Sequence, residues 1–158
     1  MIQHSAEHAT FVIERSLPGR PQHAYRFWSE PEMKRRWASC HSDWQELEYR
    51  FDFRIGGSEV SRLKAPDGTV HAVRSYFLDI IEGHRIIYAY EITADDNRIS
   101  TSLATVEFTP SDTGSLMIFT EQAVFLDGLA SAEGREEGTE MGFERLKLEI
   151  ERDLAVIQ

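Results

Sequence analysis

The chain has 158 residues, 41% of them hydrophobic and 11% aromatic, which is the size and composition of one domain spanning 1–158 around a single core. Its 27 acidic and 17 basic side chains leave a formal charge of -10, a field that repels phosphate backbones and anionic membrane surfaces and argues against nucleic-acid binding. No apolar run approaches a membrane span, the one cysteine has no internal partner for a disulfide, and the N-terminal stretch lacks the basic and apolar regions of a secretory signal; a cytoplasmic protein without membrane insertion is expected.

Residues 1–8 are polar and expected to be loose. Thr10 to Leu17 is β-branched and aromatic enough for a first strand, which the Pro-Gly-Arg-Pro at 18–21 ends. Pro21 suits the first turn of a helix whose apolar face is Ala24, Tyr25, Phe27 and Trp28, and a second short helix follows through Met33 and Trp37. Trp44 to Phe53 alternates, with Leu47, Tyr49, Phe51 and Phe53 on one face and Glu46, Glu48, Arg50 and Asp52 on the other. The pair Gly56 and Gly57 predicts a turn or bulge leading into a strand through Val60, and 65–69 predicts a hairpin turn. Strands over Val70 to Ile81, Arg85 to Thr93, Ile99 to Thr109 and Ser115 to Phe125 complete the set. Short turns between them imply an antiparallel meander whose apolar face needs a cover.

The cover is a long closing helix from about Ser131 to Ile157. Ala132, Thr139, Phe143, Leu146, Ile150, Leu154 and Ile157 share one stripe at helical spacing. The C-terminal half of that stripe is large and apolar, the N-terminal half small, so either the sheet comes closer there or a cavity remains for a small apolar ligand. Gly134, Gly138 and Gly142 are charge-flanked and fit a frayed helix start. Met141 and Leu148 fall opposite the stripe, where a homodimer or another partner would find them.

The usual chemical signatures are missing. The histidines at 4, 8, 23, 41, 71 and 84 form no metal-binding spacing, Cys40 and His41 are only sequence neighbours, and no nucleophile elbow, phosphate loop or dinucleotide fingerprint occurs. No metal, cofactor or catalytic residue is therefore named. Alternation puts Ile86, Tyr88, Tyr90 and Ile92 on one face of their strand, and Val70, Ala72, Arg74, Tyr76, Leu78 and Ile80 on one face of the strand before it. If these faces point inward, the tyrosine hydroxyls and the Arg74 guanidinium need partners, which a polar ligand group would supply. Otherwise the tyrosines reach the sheet edge and Arg74 pairs with a carboxylate.

The order of strand, two short helices, six-strand meander and long helix resembles the α+β helix-grip fold of the START-like, or SRPBCC, superfamily, an antiparallel sheet wrapped around a C-terminal helix. The segments Phe-Trp-Ser-Glu-Pro (27–31) with Trp37, Asp-Phe-Arg-Ile-Gly-Gly (52–57), Tyr76 to Glu91, Ser102 to Phe108, Thr-Glu-Gln (120–122) and Phe-Leu-Asp-Gly (125–128) resemble one branch, the activator of heat shock protein 90 ATPase homologue family. The likeness runs from about residue 10 to 155. It implies a cavity between sheet and helix, and relatives that range from lipid carriers to polyketide cyclases. The eukaryotic co-chaperone that names the branch works with an additional N-terminal domain; none is expected here, and a chaperone interaction is correspondingly not expected.

The expected function is accordingly binding of a small apolar or amphipathic molecule between the sheet and the N-terminal half of the closing helix, with Trp37, Phe53, Arg74, Tyr76, Tyr88, Tyr90, Thr120, Thr139 and Phe143 as pocket candidates. Second stands a cavity enzyme of cyclase or hydrolase type using Arg74 and tyrosine hydroxyls, although no matched acid and base are visible. An interaction protein, as chaperone partner or homodimer, ranks third.

Overall fold

Polar–apolar alternation organises the strands of this computed structural model, which describes residues 4–38 and 42–157; Cys40, His41 and the Ile157 side chain lie outside the described residues. In chain order the elements are β1 (Ala6–Leu17), α1 (Pro21–Ser29), α2 (Pro31–Ala38), β2 (Gln45–Phe51), β3 (Ser58–Lys64), β4 (Val70–Ile81), β5 (Arg85–Ala94), β6 (Asn97–Ser111), β7 (Gly114–Leu126) and α3 (Ala132–Ile157). The strands form one seven-stranded antiparallel sheet in the order β1-β7-β6-β5-β4-β3-β2. The meander from β2 to β7 is closed by β1 at one edge, and the three helices lie on the inner face. This is the helix-grip arrangement.

The first strand starts earlier than its side chains suggest. Ala6 pairs with Leu126 and His8 with Val124, so residues 6–8 are part of the sheet. Their side chains are exposed and carry no burial signal, and the backbone ladder alone holds them. The β6–β7 turn fits against the far end of β1 because Gly114, at φ 139°, has no side chain; a Cβ there would sit 2.6 Å from the Leu17 carbonyl oxygen.

The core lies under β1, β7 and β6. Phe11, Ile13 and Leu17, then Met117 and Phe119, then Ala104, Val106 and Phe108, meet Phe27 and Trp28 of α1 and Phe143, Leu146 and Ile150 of α3. Each large side chain removed from water there contributes roughly 1.5–3 kcal/mol. Phe143 is 2% exposed, and its ring centroid lies 5.2 Å from Phe119, 6.0 Å from Trp28 and 6.2 Å from Trp37. It belongs to the packed core. Polar ties fix the helices: Trp37 Nε1 donates to the Phe27 carbonyl at 2.8 Å, Arg145 Nε donates to the Trp37 carbonyl at 3.1 Å, and Asp153 of α3 lies 3.1 Å from His23 and 3.3 Å from Arg36.

Register overturns three of the inward placements. Ser75 pairs with Tyr90 and Phe77 with Tyr88, which puts odd-numbered residues of β4 on the inner face. A bulge between Phe77 and Asp79 then reverses the parity, so that Ile80 rejoins the inner face opposite Ile86. Arg74 and Tyr76 therefore stand on the outer face, across from Glu91 and Ala89, with Tyr76 50% exposed. Thr120 is also outward, between Thr105 and Val12, because the inner series of β7 is Ser115, Met117, Phe119, Glu121, Ala123 and Phe125. Another irregularity, between Glu46 and Glu48, leaves Leu47 39% exposed and outside the Tyr49 and Phe51 row.

Candidate functional site

Cross-strand register assembles a polar band on the inner face. Glu59, Ser75, Tyr90 and Ser102 are successive partners across β3, β4, β5 and β6, and antiparallel partners share a face. A parallel row runs through Ser61, Val73, Ile92 and Ser100. Most of these side chains are small, so the concave surface there is not filled from below.

Two ion pairs border the band. On one side Lys34 of α2 reaches Glu59 at 2.6 Å, and the Tyr49 hydroxyl donates to the same carboxylate at 3.0 Å. The ammonium sits among aromatic rings, 5.5 Å from the centroid of Trp28, 5.6 Å from Phe51 and 5.9 Å from Tyr88. On the other side Glu121 is fully buried and accepts from Tyr90 Oη at 2.7 Å, from Ser102 Oγ at 2.8 Å and from Arg135 at 3.1 Å. Arg135 also donates to Ser100 Oγ at 2.7 Å and stacks 5.3 Å from the Phe125 ring centroid. Charge-assisted bonds of this kind are what make such a buried carboxylate tolerable.

Arg135 also lies on the helix stripe, four residues before Thr139 and eight before Phe143, and its guanidinium reaches Glu121 and Ser100 of the sheet. The Thr139 hydroxyl turns back to the Arg135 carbonyl at 2.8 Å.

The predicted residues divide accordingly. Trp37 and Phe143 are core; Phe53 packs on the core's edge, 4.9 Å from Phe77 and 6.1 Å from Tyr25 between centroids. Tyr88 and Tyr90 lie on the inner face beside the ion pairs and Thr139 lies one turn along α3 from Arg135, whereas Arg74, Tyr76 and Thr120 are on the outer face. Lys34, Glu59, Glu121, Arg135 and the serines went unrecognised. Inward alternation marks Glu121 and helical spacing marks Arg135, but a charged residue at such a position suggests surface until its partner is known.

Burial raises the phenol pKa values of Tyr88 and Tyr90, with Glu121 adding a smaller push in the same direction. Burial, then Glu59, does the same to Tyr49. The tyrosines of this face are therefore neutral donors at any physiological pH.

Cover is uneven across the inner face. α3 packs principally on α2, β1 and α1, and α1 packs on β6 and β7. Ser61, Leu63, Val73 and Ile92 remain only half-buried, as do Tyr88 beside Trp28 and Lys34 and Tyr90 beneath Arg135. They form an aromatic and polar floor beside α2 and the N-terminal half of α3. Two surface clefts lie elsewhere, at opposite ends of the strands: one of about 590 Å³ includes His4, Asp96, Arg98 and Asp127, and one of about 540 Å³ includes Arg20, Gln22, His84 and Pro110. Neither is lined by a predicted site residue.

Residues 19–151 match the family model described as Activator of Hsp90 ATPase homolog 1-like protein. The chain belongs to that family. Among solved structures, this family member is similar to an uncharacterized protein from Rhizobium leguminosarum, with 49% identity, a TM-score of 0.90 and coverage of 95% of this chain and 99% of the other. A protein from Rhizobium loti is 39% identical with a TM-score of 0.86, covering 92% of this chain and 99% of the other. An AHSA1-like protein from Aeromonas hydrophila, 18% identical with a TM-score of 0.65 over 92% of this chain and 94% of the other, shares the fold. No functionally curated protein matches the sequence. No helix among the described residues is long and apolar enough to cross a membrane.

Proposed function

We propose that this protein binds a small amphipathic molecule in the groove between α3's N-terminal half, α2 and the inner face of β3 to β5. The observation that carries the reading is the uneven cover: the inner face is sealed over β1, β7 and β6, while Tyr88, Tyr90, Ile92 and Val73 stay half-buried beside two organised ion pairs. Aromatic and aliphatic surface with a few fixed polar groups is the usual make-up of a small-molecule site. Tyrosines held protonated by burial act as hydrogen-bond donors, which suits recognition better than proton abstraction. A cytoplasmic location accords with a single cysteine that needs no partner.

The test is backbone and side-chain NMR during titration with a panel of small neutral aryl and alkyl amphiphiles. Saturable shifts should centre on Val73, Tyr90, Ile92 and Thr139. Shifts confined to the outer face or to the end clefts, or none across the panel, would remove the groove from consideration.

A further inference from the structure

We infer that the molecule held in this groove is uncharged, with a hydroxyl or carbonyl as its polar end; the inference rests on the groove reading above. Both cations at the floor already face a carboxylate, Lys34 at 2.6 Å from Glu59 and Arg135 at 3.1 Å from Glu121. Both carboxylates are likewise occupied, by Lys34 and Tyr49 in one case and by Arg135, Tyr90 and Ser102 in the other. The polar wall thus has no net charge, although the chain as a whole carries -10.

A ligand carboxylate placed there would find Lys34 and Arg135 already paired and would lie near Glu59 and Glu121. A ligand ammonium would meet Lys34 and Arg135 in the same way. With side-chain exposures of 10% and 12% for the Lys34 pair and 12% and 0% for the Arg135 pair, water screens little of either repulsion. What the wall still offers is neutral hydrogen bonding. Among the described residues no protein group hydrogen-bonds the Tyr88 hydroxyl, whose ring is half-buried at the floor. A ligand oxygen can accept from such a donor without bringing a charge with it.

Calorimetric titration at pH 7 with 2-naphthylmethanol, 2-naphthoate and 2-naphthylmethylamine tests this with one aromatic body and three heads. The alcohol should bind the wild type roughly tenfold or more tighter than either ion, a gap of about 1.4 kcal/mol. Glu121→Gln leaves Arg135 uncompensated and should move the carboxylate ahead of the amine, whereas Arg135→Met leaves Glu121 uncompensated and should move the amine ahead. Glu59→Gln provides a second route to the first result should Glu121→Gln not fold. A wild type that prefers either ion, or variants that leave the order of the two ions unchanged, overturns the inference while the groove stands. Failure of all three compounds to bind removes both the groove and this inference.

Discussion

Replacing Arg135 by methionine keeps most of the side chain's length and apolar volume but deletes the cation that faces Glu121. Glu121 is 0% exposed, so after the substitution its carboxylate retains only the Tyr90 and Ser102 hydroxyls, which lie at 2.7 and 2.8 Å. Breaking a buried pair from one side typically costs about 3–5 kcal/mol, because the remaining charge is left uncompensated. Against a total stability of about 5–15 kcal/mol for a domain, that is a loss easily seen in urea unfolding. Glu121→Gln should cost less, since the amide oxygen can still accept from Tyr90 and the Arg135 side chain, at 12% exposure, has some access to water. The double variant should be more stable than Arg135→Met alone, with a coupling of about 1–3 kcal/mol. Strictly additive losses, or an Arg135→Met loss below about 0.5 kcal/mol, would refute the claim that the two charges meet inside the fold.

Lys34→Met breaks the other pair from the cationic side; because Glu59 keeps 12% side-chain exposure and the Tyr49 hydroxyl, the loss in urea should be smaller than for Arg135→Met. Phe143→Ala should cost about 3–5 kcal/mol, in the same range as Leu146→Ala, since both side chains are core; a much smaller loss at 143 would restore the idea of an empty space beside it. The pKa values of Tyr25, Tyr49, Tyr88 and Tyr90 are raised in the fold, chiefly by burial, so their protonated forms stabilise the native state fully below about pH 10 and that contribution is lost as pH rises further. Phenolate absorbance near 295 nm from these four should therefore appear together with loss of the far-UV circular dichroism signal, and a smooth titration at ordinary pKa with the fold intact would contradict their burial. Gly57→Ala should destabilise strongly, because a Cβ at 57 would collide with the Asp52 carbonyl oxygen; stability within about 0.5 kcal/mol of wild type, measured by urea unfolding, would show that the turn is looser than this.

Local pattern was enough to place the elements of this protein. The alternation from Trp44 to Phe53, the proline at 21 and the three-and-four spacing from Phe143 to Leu154 are each read within a single segment. The order of those elements implied an antiparallel meander covered by the closing helix and resembled the helix-grip fold, with which the sheet and the family match over 19–151 agree. Faces interrupted by irregularities were beyond that reasoning. The bulge at Phe77 and Asp79 changes parity once, so Arg74 and Tyr76 point outward even though Ile80, an even number of residues along, points inward. Charged residues inside the fold were equally hidden. A lone Glu at an inward strand position or a lone Arg on a helix stripe is improbable until the opposite charge is known to lie 3.1 Å away, and Glu121 and Arg135 come from different elements that only chain packing brings together. Sequence periodicity records which side of an element is buried; what that side meets, and so where the polar groups of the groove gather, is settled by contacts between segments far apart in the chain.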